Sequence, residues 1–260
     1  MILDGNIVAE KIYTELKRQI AGFKVKPVLA VLLAGEDPSS IAYTQMKEKK
    51  AKELKIGFRL YQIPEIGRQD ELEKLIFDLN KNEYVGGIMI QLPLPEKFDT
   101  DKLLAQIDPK KDIDGLTGEK PTATACAIME ILNHYKIGFK GKKIVLVGRG
   151  RLVGRPLSKI LSEMNLDLTV CDNKTLSLKK EVLKADIIIT AVGSPGLIRE
   201  SMVKKGAVII DAGTAEAGGK IVGDVSSEAY SKASAYTPSK GGVGPVTVAC
   251  LMKNLVEASK

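Results

Sequence analysis

Short runs of β-branched and aliphatic residues alternate along this chain with longer segments whose apolar positions recur at helical spacing. A period of two gives way repeatedly to a period of 3.6, the pattern of an α/β protein with parallel strands. The apolar runs predict strands over Val28–Leu33, Phe58–Gln62 and Gly87–Gln91, with helices over Val8–Ala21, Ser39–Leu54 and Asp70–Asn80 around them. A polar stretch, Asp108–Lys120, and a helix, Thr124–Tyr135, separate this series from a second one. The second has strands at Lys143–Val147, Asp167–Cys171, Ile187–Thr190 and Ala207–Ile210, with the spacing of a dinucleotide fold. After the glycine-rich link Lys240–Pro245, a last apolar helix, Val246–Ala258, is expected to pack back onto the first domain. Two α/β domains follow: residues 1–122 with 246–260, and residues 123–245. No internal repeat or low-complexity tract interrupts them.

The chain's 260 residues suffice for two domains that each bury a core. No apolar run approaches the ~20 residues of a membrane span and no signal-peptide pattern opens the sequence, so a cytoplasmic location is expected. Cys126, Cys171 and Cys250 are an odd number, lie far apart and form no CxxC, which predicts buried thiols and neither a disulfide framework nor a metal site. The net charge of +7 comes from lysines spread along the whole chain, and aromatic residues make up only 5%. That distribution lacks the basic, aromatic-interleaved stretches of nucleic-acid binders and suits an anionic small molecule.

The segment from Lys143 through Gly148-Arg-Gly150-Arg-Leu-Val-Gly154 to Pro156 is a strand, a tight glycine turn and a helix start. Glycines there admit a pyrophosphate to the backbone, and the helix N-terminus offers unpaired N–H groups and a partial positive charge. The spacing is GxGxxxG, and as a bare pattern a structural turn describes it equally well. Asp172 at the end of the next strand, and Ala191-Val-Gly193-Ser-Pro195 at the end of a later one, converge on the same carboxyl edge.

Four phrases in order carry a specific likeness: Gln91-Leu-Pro-Leu-Pro95, Lys111-Asp-Ile-Asp114-Gly115, the Val147–Pro156 turn, and Gly241-Gly-Val-Gly-Pro245. Shorter echoes are Asp37-Pro-Ser-Ser-Ile-Ala-Tyr43 with Lys47, Ala191–Pro195 and Gly223-Asp-Val225. From about Gly5 to Asn254 the chain resembles the methylenetetrahydrofolate dehydrogenase/cyclohydrolase family. The resemblance implies an N-terminal folate-binding catalytic domain, a Rossmann-like dinucleotide-binding domain, an active site in the cleft between them, tetrahydrofolate derivatives as partners, and a homodimer. It implies hydride transfer from the methylene bridge to a nicotinamide, followed by hydrolysis of the methenyl product.

The candidate catalytic residues are Tyr43, Lys47 and Gln91. On the helix, Tyr43, Lys47 and Leu54 fall within about 40° of one another, between Met46 and Ala51. A lysine in that apolar stripe loses hydration, which lowers its pKa toward values useful in proton transfer. From periodicity alone Lys47 reads as one more solvated charge of Lys47-Glu-Lys-Lys-Ala-Lys, with Lys50 in the same arc; the family motif assigns the role to Lys47. Gln91 by itself is a strand-end amide capping the Leu-Pro-Leu-Pro turn, and the resemblance makes it the partner that orients Lys47. Asp114 by itself is a turn aspartate before Gly115, and the resemblance has it accept hydrogen bonds from the pterin ring. Further folate contacts are implied at Tyr43, Gln91, Leu92, Pro93, Gly242 and Pro245. Cofactor contacts are implied at Gly148, Arg149, Gly150, Asn173 and Thr214.

The chain departs from the family pattern in places. The loop Leu116–Ala123 is abbreviated, leaving Thr124 as the nearest match to the family's threonine. Gly150 replaces the usual serine, Pro238-Ser-Lys240 the usual Pro-Val-Pro, and Asp172-Asn173 the usual histidine-serine. For the cofactor, Arg149, with Arg151 and Arg155 nearby, and Asn173 favour NADP, whereas Asp172 favours NAD by accepting from a free ribose hydroxyl. NADP is expected, with NAD admitted, on the premise that Asp172 faces solvent and is screened beyond ~8 Å. Two alternatives stay open on sequence alone: a nicotinamide-dependent dehydrogenase of another substrate, and a non-enzymatic folate-binding paralogue.

Overall fold

The structure, a computed structural model, describes residues 1–217 and 220–260. In chain order its helices and strands are α1 (Gly5–Ala21), β1 (Val28–Ala34), α2 (Pro38–Glu53), β2 (Gly57–Ile63), α3 (Gln69–Lys81), β3 (Gly87–Ile90), α4 (Thr100–Ala105), α5 (Ala123–His134), β4 (Lys143–Val147) and α6 (Gly154–Glu163). They continue as β5 (Asp167–Cys171), α7 (Leu178–Val182), β6 (Ile187–Thr190), β7 (Val208–Asp211), β8 (Ala215–Ala217), β9 (Lys220–Val222), β10 (Ala235–Tyr236) and α8 (Val243–Ala258). The chain forms two compact units, one of Lys11–Lys120 with Val248–Lys260, the other of Met1–Glu10 with Pro121–Thr247.

The first unit is built on a parallel sheet ordered β2-β1-β3. The middle strand β1, Val-Leu-Ala-Val-Leu-Leu-Ala, is a continuous apolar run because both of its faces are covered. Ala30, Leu32, Ile88 and Ile90 pack with Leu72, Ile76 and Leu79 of α3 and Leu103 of α4 in one core cluster. Local signals set the helix starts: Asp37 caps α2 by accepting from Ser40 N at 2.7 Å, with Pro38 in the first turn. Glu71 reaches back to Arg68 N at 3.1 Å at the start of α3. From α8, Asn254 Nδ2 donates to Ile113 O at 2.8 Å, tying that helix to the Asp108–Lys120 segment.

The second unit carries a parallel sheet ordered β10-β7-β6-β4-β5, plus the antiparallel pair β8–β9. The chain leaves β4 for β5 on one side and then crosses to β6 on the other. That reversal makes the carboxyl end of β4 the place where open α/β sheets receive ligands. Met1–Glu10 joins this unit, whereas the sequence division groups it with the folate half. The reason is backbone pairing: Leu3 N donates to Tyr236 O and Gly5 N to Gly241 O, both at 2.8 Å. Strand β7 begins one residue later than its apolar run predicts, which brings Asp211 onto the strand end.

Candidate active site

In the first unit, Lys47 sits on the covered face of α2 together with Ser40, Thr44 and Ala51. Its side chain is only 8% exposed, and Nζ donates to Gln91 Oε1 at 2.7 Å. Burial lowers its pKa below the ordinary lysine value, and the negative charge of Asp114 works in the opposite direction. Lys50 meets a different environment: it pairs with Glu53 at 2.9 Å and lies over the Tyr13 ring. Tyr43, one turn before Lys47, presents its ring 5.9 Å from Nζ and is half-buried.

Gln91 follows the last residue of β3, and its backbone N–H still donates to Leu32 O in the ladder at 2.9 Å. Its Oε1 serves Lys47 while Nε2 donates to Leu92 O at 2.7 Å. The amide therefore orients the lysine and also holds the turn in which Leu92–Pro93 is a cis peptide. Leu92 is half-buried and Pro93 exposed at this edge.

The segment bearing Asp114 is held by residues the sequence reading did not single out. Ile88 N donates to Lys111 O at 2.8 Å, and Asp112 bridges Ile88 in parallel fashion, so the chain runs alongside β3 toward Gln91. Lys111 Nζ donates to three carbonyls at the end of α3: Leu79, Asn80 and Asn82, at 3.0, 2.7 and 2.8 Å. Asp112, 1% exposed, is the turn-forming aspartate: it accepts from Asp114 N, Gly115 N and Thr117 N at 3.1, 2.9 and 2.7 Å. Gly115 supplies the positive φ of 73° that the turn requires. With Asp112 closing the turn, the half-buried Asp114 contributes its charge to Lys47.

In the second unit, β4 ends in the glycine turn. Gly148 has φ 107°, and a Cβ on Gly154 would lie 2.1 Å from Gly148 O, so side chains are excluded where the turn packs on itself. At Gly150, by contrast, a Cβ would meet nothing within 4 Å: the turn is open there. Helix α6 begins at Val153–Gly154 with no side-chain cap on its first N–H groups. An open glycine followed by an uncapped helix start fits a pyrophosphate. Thr122, rather than Thr124, is tied to this turn, donating to Leu152 O at 2.6 Å while capping α5.

Asp172 is half-buried and ion-paired, not turned freely to solvent as the sequence predicts. Its side chain is 27% exposed and its Oδ2 lies 3.2 Å from Arg149 Nε. Strand register is the cause: Val147 pairs with Cys171, which brings the residues just beyond each strand end together. Asn173 and Thr214 are exposed, and Gly242 and Pro245 lie around the start of α8 in the same unit as the glycine turn.

Two further acids close the carboxyl edge of this sheet, Asp211 and Asp224, 3% and 0% exposed. Burial pushes Asp211 up to about 6, against hydrogen bonds from the Asp224, Val225 and Gly213 N–H groups that pull it down. A carboxyl whose folded pKa is raised stabilises the fold most below its unfolded value, and that contribution is lost as pH rises through the folded pKa. Relative to Asp211→Asn, the wild type therefore loses about 2–3 kcal/mol of stability between pH 4 and roughly 6.5. Urea unfolding of both proteins across that range measures it; a constant difference would contradict the assignment.

A family model described as the tetrahydrofolate dehydrogenase/cyclohydrolase catalytic domain matches residues 3–114, and one described as its NAD(P)-binding domain matches residues 122–260. The bifunctional protein FolD of Thermodesulfovibrio yellowstonii is 43% identical, with 100% of this chain and 96% of the relative covered. Among solved structures, the bifunctional FolD methylenetetrahydrofolate dehydrogenase/cyclohydrolase of Campylobacter jejuni superposes with a TM-score of 0.95 at 37% identity, covering 100% of this chain and 98% of the other. The Trypanosoma brucei methylenetetrahydrofolate dehydrogenase-cyclohydrolase, complexed with NADP cofactor and inhibitor, gives 0.94 at 32% identity, covering 100% and 97%. With both halves matched end to end, and a buried lysine–glutamine pair in one half and an open glycine turn in the other, this chain belongs to the tetrahydrofolate dehydrogenase/cyclohydrolase family.

Proposed function

We propose that this protein oxidises 5,10-methylenetetrahydrofolate to the 5,10-methenyl form with NADP and hydrolyses that product to 10-formyltetrahydrofolate. The observation that carries the reading is the buried Lys47 Nζ held by Gln91 at 2.7 Å, with the charge of Asp114 acting on it. The nicotinamide, when bound, supplies the acceptor for the hydride that leaves the methylene bridge. The remaining carbon is a cation stabilised by its two nitrogens, and water adds to it with release of one proton. Lys47, whose pKa burial lowers, takes that proton at Nζ. The resulting ammonium gives its proton to N5 as the carbon–N5 bond breaks, takes up the adduct's hydroxyl proton, and releases it to solvent as the one proton that hydrolysis sets free. Gln91 fixes Nζ for this role, Tyr43 lines the same helix face, and Asp114 accepts from the amidine-like edge of the pterin. Leu92, Pro93, Gly242 and Pro245 complete the folate contacts in this reading.

On the cofactor side, Gly148 and Gly150 admit the pyrophosphate, with Asn173 and Thr214 as further contacts. Arg149, whose Nε lies 3.2 Å from Asp172 Oδ2, would meet the 2′-phosphate through its guanidinium. Arg149→Ala is expected to raise the KM for NADP about tenfold and that for NAD less than twofold, since a charge-assisted contact contributes roughly 1.5–3 kcal/mol. Initial rates with each cofactor check this, and equal changes would remove Arg149 from phosphate recognition. A homodimer and a cytoplasmic location belong to the same reading; among the described residues no helix is long and apolar enough to cross a membrane. The test of the whole is oxidation of methylenetetrahydrofolate with NADP and with NAD: turnover with NADP supports it, and turnover with neither refutes it.

A further inference from the structure

The carboxyl edge of the second sheet contains a polar device that the reaction does not use directly. Asp224 lies in the stretch between β9 and β10, fully buried. Its Oδ2 accepts from Thr190 Oγ1 and Val192 N, both at 2.7 Å, and its Oδ1 from Ser194 N at 2.7 Å. Those three donors belong to the end of β6 and to the exposed turn Val192–Pro195 beyond it. Asp211, at the end of β7, holds the neighbouring stretch: its Oδ1 accepts from Gly213 N at 3.0 Å and from Asp224 N at 3.1 Å, and its Oδ2 from Val225 N at 3.0 Å.

The two acids interlock through glycines. A Cβ on Gly213 would lie 2.2 Å from Asp224 Cγ, and one on Gly223 would lie 2.0 Å from Asp211 Oδ2. Each carboxylate thus sits against the backbone of the other's segment. The turn that Asp224 holds also supports the glycine turn of β4: a Cβ on Gly148 would approach Ala191 O to 2.7 Å, and one on Gly193 would approach Thr214 O to 3.3 Å. Contact therefore runs from the Asp224 carboxylate through residues 191–194 to Gly148 on one side and Thr214 on the other.

We propose that Asp224 is a positioning residue for the dinucleotide, fixing the 191–194 turn against which both the phosphate-binding glycine turn and the Thr214 segment are set. The proposal rests on the NADP reading above. Chemistry explains why the position takes a carboxylate. Three donors converge on two acceptor oxygens, and an asparagine amide would turn an N–H₂ group toward at least one N–H, leaving buried donors unpaired. The acid does not touch the dinucleotide in this account; it acts through the turn.

The test separates cofactor binding from the folate chemistry. Calorimetric titration of NADP into wild type, Asp224→Asn and Thr190→Val reads affinity without turnover, and hydrolysis of methenyltetrahydrofolate without cofactor reads the other activity. Asp224→Asn is expected to weaken NADP about tenfold or more, and Thr190→Val, which keeps the side chain's shape and removes one hydroxyl bond, about threefold. Hydrolysis should fall far less than cofactor affinity in both. Unaltered NADP affinity in both variants, or parallel loss of affinity and hydrolysis in Thr190→Val, would overturn the positioning role. Should Asp224→Asn fail to fold, Thr190→Val decides alone. Wild-type protein that binds no dinucleotide would refute the cofactor reading itself.

Discussion

Lys47→Met is expected to lower cyclohydrolase turnover by about 10²–10⁴-fold, the usual contribution of a positioned proton-transfer group, while folate and NADP still bind. The substitution retains most of the stem's volume, so the packing of α2 against β1 is largely kept. What disappears is the titrating amine that Gln91 holds at 2.7 Å. Because burial lowers the pKa of Lys47, a larger fraction is the neutral amine at a given pH than for an exposed lysine. Hydrolysis by the wild type should therefore decline as the pH falls through that lowered pKa, and the decline should be absent from the residual rate of the variant. Lys50→Met provides the control: its ammonium is engaged with Glu53, and its loss should leave both activities nearly intact. Hydrolysis at the wild-type rate by the Lys47 variant would remove the lysine from the mechanism.

The second large effect is expected at Asp114. Asp114→Asn should weaken folate binding by about tenfold to a hundredfold, because a neutral amide cannot reproduce a charge-assisted pair with the pterin edge, a loss of roughly 1.5–3 kcal/mol. NADP affinity should change little. The structure supplies a control the sequence did not: the turn is built by Asp112, whose carboxylate takes three backbone N–H groups, so Asp114→Asn leaves those bonds in place. Asp112→Ala, by contrast, strands buried donors and should lower thermal stability as well as folate affinity. If Asp114→Asn lowered stability as Asp112→Ala does, Asp114 would be a structural residue.

The same contrasts show what periodicity can and cannot carry. Strands β4 and β6 begin and end where the sequence predicts, because a buried parallel strand leaves a contiguous apolar signature; β5, half-buried at the sheet edge, keeps its predicted bounds as well. The helices α4 and α7 and the strands β8, β9 and β10 span six residues or fewer, too short for a period to show. Lys47 and Lys50 share one helical arc, and only tertiary packing separates the buried one from the ion-paired one. Asp112 and Asp114 look alike in Lys-Asp-Ile-Asp-Gly; which closes the turn depends on pairing with β3. The ion pair of Asp172 is invisible in the sequence because its partner, Arg149, lies beyond another strand end and is reached through register. Asp224 stood only in a short phrase, Gly-Asp-Val, whose contacts are all distant in sequence.

One time course tests both steps at once: methylenetetrahydrofolate and NADP mixed with the protein, with reduced cofactor, the methenyl compound and 10-formyltetrahydrofolate followed together. One active protein is predicted to form reduced cofactor and formyl product at matching steady rates, with the methenyl compound held low. Reduced cofactor accompanied by methenyl compound that decays only at its uncatalysed rate would contradict the claim that this chain performs both steps.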